Sequence, residues 1–265
     1  MPIITEFPIS SYLQPLLKSK FNMASTQTPI VLITGANRGI GFSTVQALSL
    51  RYPTGTYIIG SRTLSSGEEA IQELRKLGIK ANLEVVEIDV TKDSTIDAAV
   101  SWIGEKFGRL DVLVNNAGIA LFPPSSSPKD IRENFNTTFN TNITSLYTVT
   151  LAFVPLLHLS PTPKVINISS GRASLTRSSD GKLPPTKKVE DALFEESRGD
   201  GKEAGRGKVE FFAANPGHCK TAFNGFKGTK DPLDGAEVVV RLVGGEGTKG
   251  GFWEFEEGVL REVLW

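Results

Sequence analysis

The strand Ile30-Val31-Leu32-Ile33 runs directly into Thr34-Gly35-Ala36-Asn37-Arg38-Gly39-Ile40-Gly41, and this junction constrains the fold more than any other stretch. A β-branched apolar strand ends in a glycine-spaced turn, and an amphipathic helix follows. Turns of this kind hold the pyrophosphate of a dinucleotide. Gly35 allows the tight turn, Gly39 lets the backbone approach the phosphates, and Gly41 lets the helix pack against the sheet. The helix N-terminus then offers free N–H groups and its positive dipole end to those phosphates. The spacing is Gly-x-x-x-Gly-x-Gly rather than the commoner Gly-x-Gly-x-x-Gly.

A chain of 265 residues is long enough for one α/β domain with a sizeable core. Lys and Arg together number 29, as do Asp and Glu, so no net charge points to nucleic acid as a partner. The single cysteine, Cys219, excludes an internal disulfide framework and fits a reducing compartment, so a cytoplasmic location is expected. No apolar run approaches a membrane span; the best, 151–157, contains Pro155. His158 and His218 have no neighbours at metal-ligand spacing, so no metal is expected. Residues 1–28 read as a mobile N-terminal extension or alternative start ahead of a folded domain over 29–265, with Met23 just before the first strand. Residues 1–21 lack a basic n-region and a clean apolar h-region, which makes a poor signal peptide.

Strands are expected at 56–61, 83–88, 112–114, 165–168, 209–214 and 252–255. Ser66-x-x-Glu69 forms a capping box for a helix ending at Gly78, another helix runs to about Phe107, and longer helical stretches cover roughly 131–159 and 233–243. Strands alternating with helices imply right-handed crossovers and a doubly wound, parallel α/β sheet, the Rossmann arrangement. Residues 176–208 are irregular, rich in charge and glycine, and contain Pro184-Pro185.

Several landmarks follow in order: Thr34-Gly35…Gly39-Ile40-Gly41, Asp89-Val90, Asn115-Asn116-Ala117-Gly118, Asn142, Ile168-Ser169-Ser170, and Asn215-Pro216-Gly217 with Thr221. At these spacings they resemble the short-chain dehydrogenase/reductase family from about Pro29 onward. The resemblance implies carbonyl reduction or alcohol oxidation with a nicotinamide cofactor. It places Asp89 and Val90 by the adenine, and Asn116, Ala117 and Gly118 where a cofactor lies against the backbone. It gives Pro216, Gly217 and Thr221 to the nicotinamide carboxamide. Read without the family, Asp89 is a helix N-cap and Pro216-Gly217 a turn. At the end of the second strand, where an acidic residue would bind the ribose hydroxyls of NAD, stand Ser61-Arg62-Thr63. Arginine pairs with a 2′-phosphate instead, and Asn37-Arg38 in the glycine turn adds a second charge, which favours NADP(H) over NAD(H). The competing reading makes both arginines solvated surface charges.

The resemblance also implies a catalytic serine, an asparagine on the preceding helix that supports a water relay, and a Tyr-x-x-x-Lys pair. Ser170 and Asn142 match the first two. The lysine matters because free tyrosine titrates near pKa ~10 and a cation favours the phenolate. No tyrosine follows Ser170; the four are Tyr12, Tyr52, Tyr57 and Tyr147. Counting on at the family's spacing reaches Leu183 and then Lys187, but Pro184-Pro185 keeps these off one helix face, and Lys187 reads as a solvated lysine. Three readings stand at this point. One is an NADP-dependent reductase or dehydrogenase acting on a small carbonyl or alcohol, possible also as a homo-oligomer. Another is a nucleotide-binding protein without turnover. The third is an impaired variant or gene model in which an exchanged exon over about 188–208 removed the catalytic helix.

Overall fold

The computed structural model describes residues 28–173 and 208–264. They form one eight-stranded sheet in the order β3-β2-β1-β4-β5-β6-β7-β8. The strands are β1 (Ile30–Thr34), β2 (Thr56–Ser61), β3 (Asn82–Glu87), β4 (Val112–Asn115), β5 (Lys164–Ile168), β6 (Glu210–Asn215), β7 (Phe252–Glu256) and β8 (Val259–Glu262). The first seven are parallel, as the alternation of strands and helices requires. The edge strand β8 is antiparallel and lies outside the expected set. Its signal is legible in hindsight: Glu257 and Gly258 both take positive φ in a two-residue turn, and β-branched Val259 follows.

The helices are α1 (Gly39–Arg51), α2 (Leu64–Lys76), α3 (Asp93–Phe107), α4 (Pro128–Phe139), α5 (Ser145–Leu157) and α6 (Pro232–Val243). Period-two alternation in the central strands splits the core between two faces. Val31, Ile33, Val114, Ile166 and Phe212 pack beneath α1, α2 and α6. Ile30, Leu32, Leu113, Val165 and Phe211 pack with Ile96, Ile103, Val149 and Phe153 of α3 and α5. At the N-terminal edge of the sheet, the Asp111 carboxylate accepts from Ile30 N (2.8 Å), Ser160 Oγ (2.6 Å) and Arg109 Nε (3.0 Å), which ties β1 to β4.

Two local expectations need correction. The helix after β2 starts three residues before the expected capping box. Thr63 is its N-cap, its Oγ1 accepts from Ser66 N at 3.4 Å, and Leu64 is already helical. A hydroxyl that can reach the second or third free N–H ends the competition, and Thr63 is the first such residue after β2. At the other end the cap residue is Leu77. Gly78 follows it at φ +82, and Gly78 N and Ile79 N donate to Arg75 O and Leu74 O, closing a Schellman pair. The stretch expected as one helix over 131–159 is two helices, α4 and α5, joined by a π turn over Asn140–Thr144. The irregular segment 176–208 lies outside the described residues except for Lys208.

Candidate functional site

Apart from Asn142, in the π turn, the described residues expected to carry function fall on loops or helix starts at the C-terminal ends of the parallel strands. The strand order reverses at β1, with β2 on one side and β4 on the other, which opens a crevice between their loops. Thr34 closes β1 inside this crevice. Its Oγ1 accepts from Asn116 N and Ala117 N, each at 3.0 Å, and lies 3.3 Å from Val114 O, to which it donates. The Asn116 side chain returns the tie, donating from Nδ2 to Thr34 O (2.8 Å) and Gly35 O (3.2 Å). The two loops are thus stitched into one floor. No role for Thr34 follows from the motif alone; a threonine hydroxyl at the end of the first strand is the one signal the sequence offers.

The glycines have separate reasons. Gly35 sits at φ +63, and a Cβ there would meet Ala117 Cα at 3.0 Å. Gly41 has ordinary backbone angles, yet a Cβ would lie 2.5 Å from Asn116 Nδ2 and 2.8 Å from both Ala36 Cα and Gly35 O. Its expected role, letting the helix pack against the sheet, is therefore more specific: α1 crosses directly over the turn and the Asn116 amide. Gly39 is at φ +60 and faces Thr221, whose Cβ and Cγ2 would be 3.8 Å from an added Cβ. Thr221 is buried, so the loop after β6 closes against the glycine turn.

Helix α1 begins without a side-chain cap and with no acidic residue in its first turn, whereas α2, α4 and α6 are capped by Thr63, Ser127 and Asp231. The N–H groups of its first turn, Gly39, Ile40 and Gly41, consequently present donors at the crevice. Arg38, the N-cap residue, and Arg62, just past β2, are both exposed, and neither enters an ion pair among the described residues. Asn37 lies between the turn and Arg38, half-buried. Uncapped donors with two unpaired cations beside them suit a phosphate-bearing ligand.

Asp89 and Val90 follow β3. The N-cap reading of Asp89 fails, because the cap residue of α3 is Lys92. The Asp89 carboxylate instead accepts from Thr91 N (3.1 Å) and Thr91 Oγ1 (2.7 Å), with Lys92 Nζ at 3.4 Å. Partial burial pushes its pKa up, but the Thr91 hydrogen bonds and the Lys92 charge outweigh this and hold it below the ordinary value. Gly118 stands beside Asn142, whose Oδ1 would be 3.4 Å from a Cβ there. Asn142 lies within the π turn. Its amide accepts from Ile119 N (2.9 Å) and donates to Ile119 O (2.8 Å), clamping the loop after β4 to the helix. Such turns recur at functional sites because they free backbone groups from the regular ladder.

Ser170 follows β5 and is exposed, with Ala173 N donating to its carbonyl at 2.7 Å. Pro216 and Gly217 open the loop after β6. Gly217 takes φ +82, and its N–H donates to Asn215 Oδ1 at 3.1 Å. A buried amide chain, also without a part in the sequence reading, lies under the site: Asn115 Nδ2 donates to Asn167 Oδ1 and Thr150 Oγ1, each at 2.9 Å. Asn115 and Asn167 are register partners on β4 and β5, so the bond fixes the strand that delivers Ser170.

Lys187 lies outside the described residues. Of the tyrosines within them, two stand away from the crevice. Tyr52 and Tyr57 sit at the C-terminal end of α1, a helix of 13 residues and so about 20 Å from its N-terminus. The Tyr57 hydroxyl is tied to Tyr52 O (2.7 Å) and Leu48 O (3.0 Å), and burial raises the pKa of both tyrosines. Tyr147 is half-buried against the α3/α5 side of the core. Among the described residues no group of acidic, histidine or cysteine side chains could hold a metal, and no helix is long and apolar enough to cross a membrane.

Comparison with known proteins gives a consistent picture. A family model for short chain dehydrogenases matches residues 29–231. A short-chain dehydrogenase/reductase of Aspergillus fumigatus is 41% identical over 262 aligned positions, which span 91% of this chain and 99% of that protein. Those positions outnumber the residues this chain contributes, so the relative carries residues with no counterpart here. A short-chain dehydrogenase of Penicillium roqueforti is 34% identical across 83% of this chain and 90% of its own. Among solved structures, an NADPH-bound carbonyl reductase from chicken fatty liver is similar with a TM-score of 0.69 at 28% identity, matching 90% of this chain and all of that one.

Proposed function

The chain belongs to the short-chain dehydrogenase/reductase family of oxidoreductases, and from that premise we propose that it binds NADP(H) in the β1/β4 crevice and turns over small carbonyl or alcohol substrates weakly or not at all. The observation that carries the cofactor reading is the pair of exposed arginines, Arg38 and Arg62, on the two loops beside the uncapped start of α1. In this reading the N–H groups of Gly39, Ile40 and Gly41 hold the pyrophosphate, and the arginines hold the 2′-phosphate. Asp89 and Val90 lie by the adenine. Asn116, Ala117 and Gly118 supply a flat wall, and Pro216, Gly217 and Thr221 face the nicotinamide end. The NADPH-bound carbonyl reductase among the structural relatives supports the preference. Bound there, the cofactor would supply a hydride to a carbonyl carbon or, oxidised, accept one from an alcohol carbon.

In this reading Ser170, exposed after β5, orients the substrate oxygen, and Asn142 holds the loop after β4 through Ile119. The missing part is proton transfer. No tyrosine follows Ser170 in the sequence, and Tyr52 and Tyr57 lie at the other end of α1 with raised pKa values. An exchanged exon over about 188–208 would account for the absent proton donor. Two measurements test the proposal. NADPH fluorescence titration should show binding, and NADPH oxidation with a panel of ketones and aldehydes should stay near background. Turnover at the rates of an intact family member would overturn the second half; absence of binding would overturn the first.

A further inference from the structure

Five of the large apolar side chains left exposed by the fold stand on the loops around Ser170. Leu121 and Phe122 lie on the loop after β4, at 45% and 89% exposure. Ile143 follows Asn142 in the π turn, and Phe223 and Phe226 lie on the loop after β6, at 62% and 60%. Exposed apolar residues scattered singly need no explanation, but a group on the rim of one crevice does. The topology makes it a group. β4, β5 and β6 are adjacent, Asn115 pairs with Asn167, and Asn167 pairs with Ala213. Neighbouring strands lie about 4.8 Å apart, so the β4 and β6 loops are rooted about 10 Å apart with Ser169-Ser170 between them.

Both loops are fixed rather than free at their bases. The β4 loop is clamped through Ile119 to Asn142. The β6 loop turns on Thr221, whose carbonyl accepts from Phe226 N at 2.8 Å and Asn224 N at 3.2 Å, while Asn224 Nδ2 donates to Cys219 O at 2.9 Å. Phe226 takes φ +61 directly after Gly225 at φ +63. A bulky aromatic residue in the left-handed region is a true outlier, and such outliers gather at ligand clamps. Thr221 abuts Gly39, so these phenylalanines hang from the residue that closes the cofactor crevice. No charged residue occurs over 112–128 or 221–226.

We propose that Leu121, Phe122, Phe223 and Phe226 form the two walls of the substrate mouth and select uncharged, ring-bearing carbonyl compounds over small aliphatic ones. This rests on the cofactor reading above only for the identity of the crevice. Flat rings between two aromatic walls gain offset or edge-to-face contacts as well as burial.

The test is calorimetric titration of the full chain with 2-acetylnaphthalene and with butan-2-one, with and without NADP⁺, alongside a separate NADPH titration. 2-Acetylnaphthalene should bind and butan-2-one should not saturate. F223A combined with F226G should weaken 2-acetylnaphthalene by about tenfold, the size of one or two lost aromatic contacts. F226G alone should leave the melting temperature unchanged or raised, because glycine suits the left-handed backbone. F122A, on the opposite wall, should weaken the same ligand. Unchanged ketone affinity in the double variant, or butan-2-one binding as tightly, would overturn the proposal even with NADPH bound normally. Phenylalanine-dependent ketone binding without NADPH binding would retain it and sink the cofactor reading. A change in oligomeric state in F223A/F226G, with ketone affinity intact, would make the rings an interface and overturn it.

Discussion

Replacing Gly41 with alanine isolates the geometry of the crevice. In an ordinary helix this change favours folding by about 1 kcal/mol. Here the new Cβ would stand 2.8 Å from Ala36 Cα and Gly35 O, both backbone atoms, and 2.5 Å from Asn116 Nδ2. The backbone atoms cannot yield without opening the turn, and overpacking of this kind costs about 1–3 kcal/mol. Displacing the Asn116 amide also breaks its bonds to Thr34 O and Gly35 O, worth about 1 kcal/mol each. The net expectation is a loss of roughly 2–4 kcal/mol, or about 5–15 °C in melting temperature for a domain of this size. Urea and thermal unfolding measure it, and NADPH affinity should fall by at least about tenfold, because the moved residues are the phosphate turn itself. Gly104→Ala is the control: its Cβ meets only the Leu156 side chain, Cδ2 at 3.4 Å and Cδ1 at 4.0 Å, so the propensity gain of about 0.4–1 kcal/mol should survive. If G41A proves as stable as G104A, α1 does not cross the turn as described.

Thr34→Val should cost about 2–4 kcal/mol in urea unfolding, since it leaves Asn116 N and Ala117 N without their acceptor; a loss under about 0.5 kcal/mol would mean water replaces the hydroxyl. R38A with R62A should weaken NADPH by about tenfold or more and leave NADH nearly unchanged, a gap that should narrow with added salt; equal losses for both cofactors would make the arginines general surface charge. Burial, only partly offset by Lys230, raises the Cys219 thiol from its ordinary 9.0 to about 11. Its folded pKa lies above the unfolded one, so its contribution to stability is whole below about pH 9 and is lost as pH rises through 11. Iodoacetamide at pH 8 should label it only on unfolding, and rapid labelling of the native chain would contradict its burial.

The parallel sheet was legible because its central strands are buried on both faces and read as unbroken apolar runs, as in Ile30–Thr34. The glycine turn was legible because left-handed φ at Gly35 and Gly39 admits few other residues. Less was legible where tertiary partners decide. Thr63 and Ser66 both offer a hydroxyl to the helix start, and only the path out of β2 chooses Thr63. The π turn at Asn142 has no composition signal, and the partner its amide clamps, Ile119, is 23 residues away in the chain. Asn115 and Thr34 look like plain motif letters until β4, β5 and α5 bring their partners within 3 Å.

The most direct test is a paired fluorescence titration of the purified chain with NADPH and NADH at low salt. NADPH should bind with a dissociation constant at least about tenfold below that of NADH, the margin expected from a 2′-phosphate held by Arg38 and Arg62. Equal affinity, a preference for NADH, or no binding of either would contradict the assignment of the crevice to NADP(H).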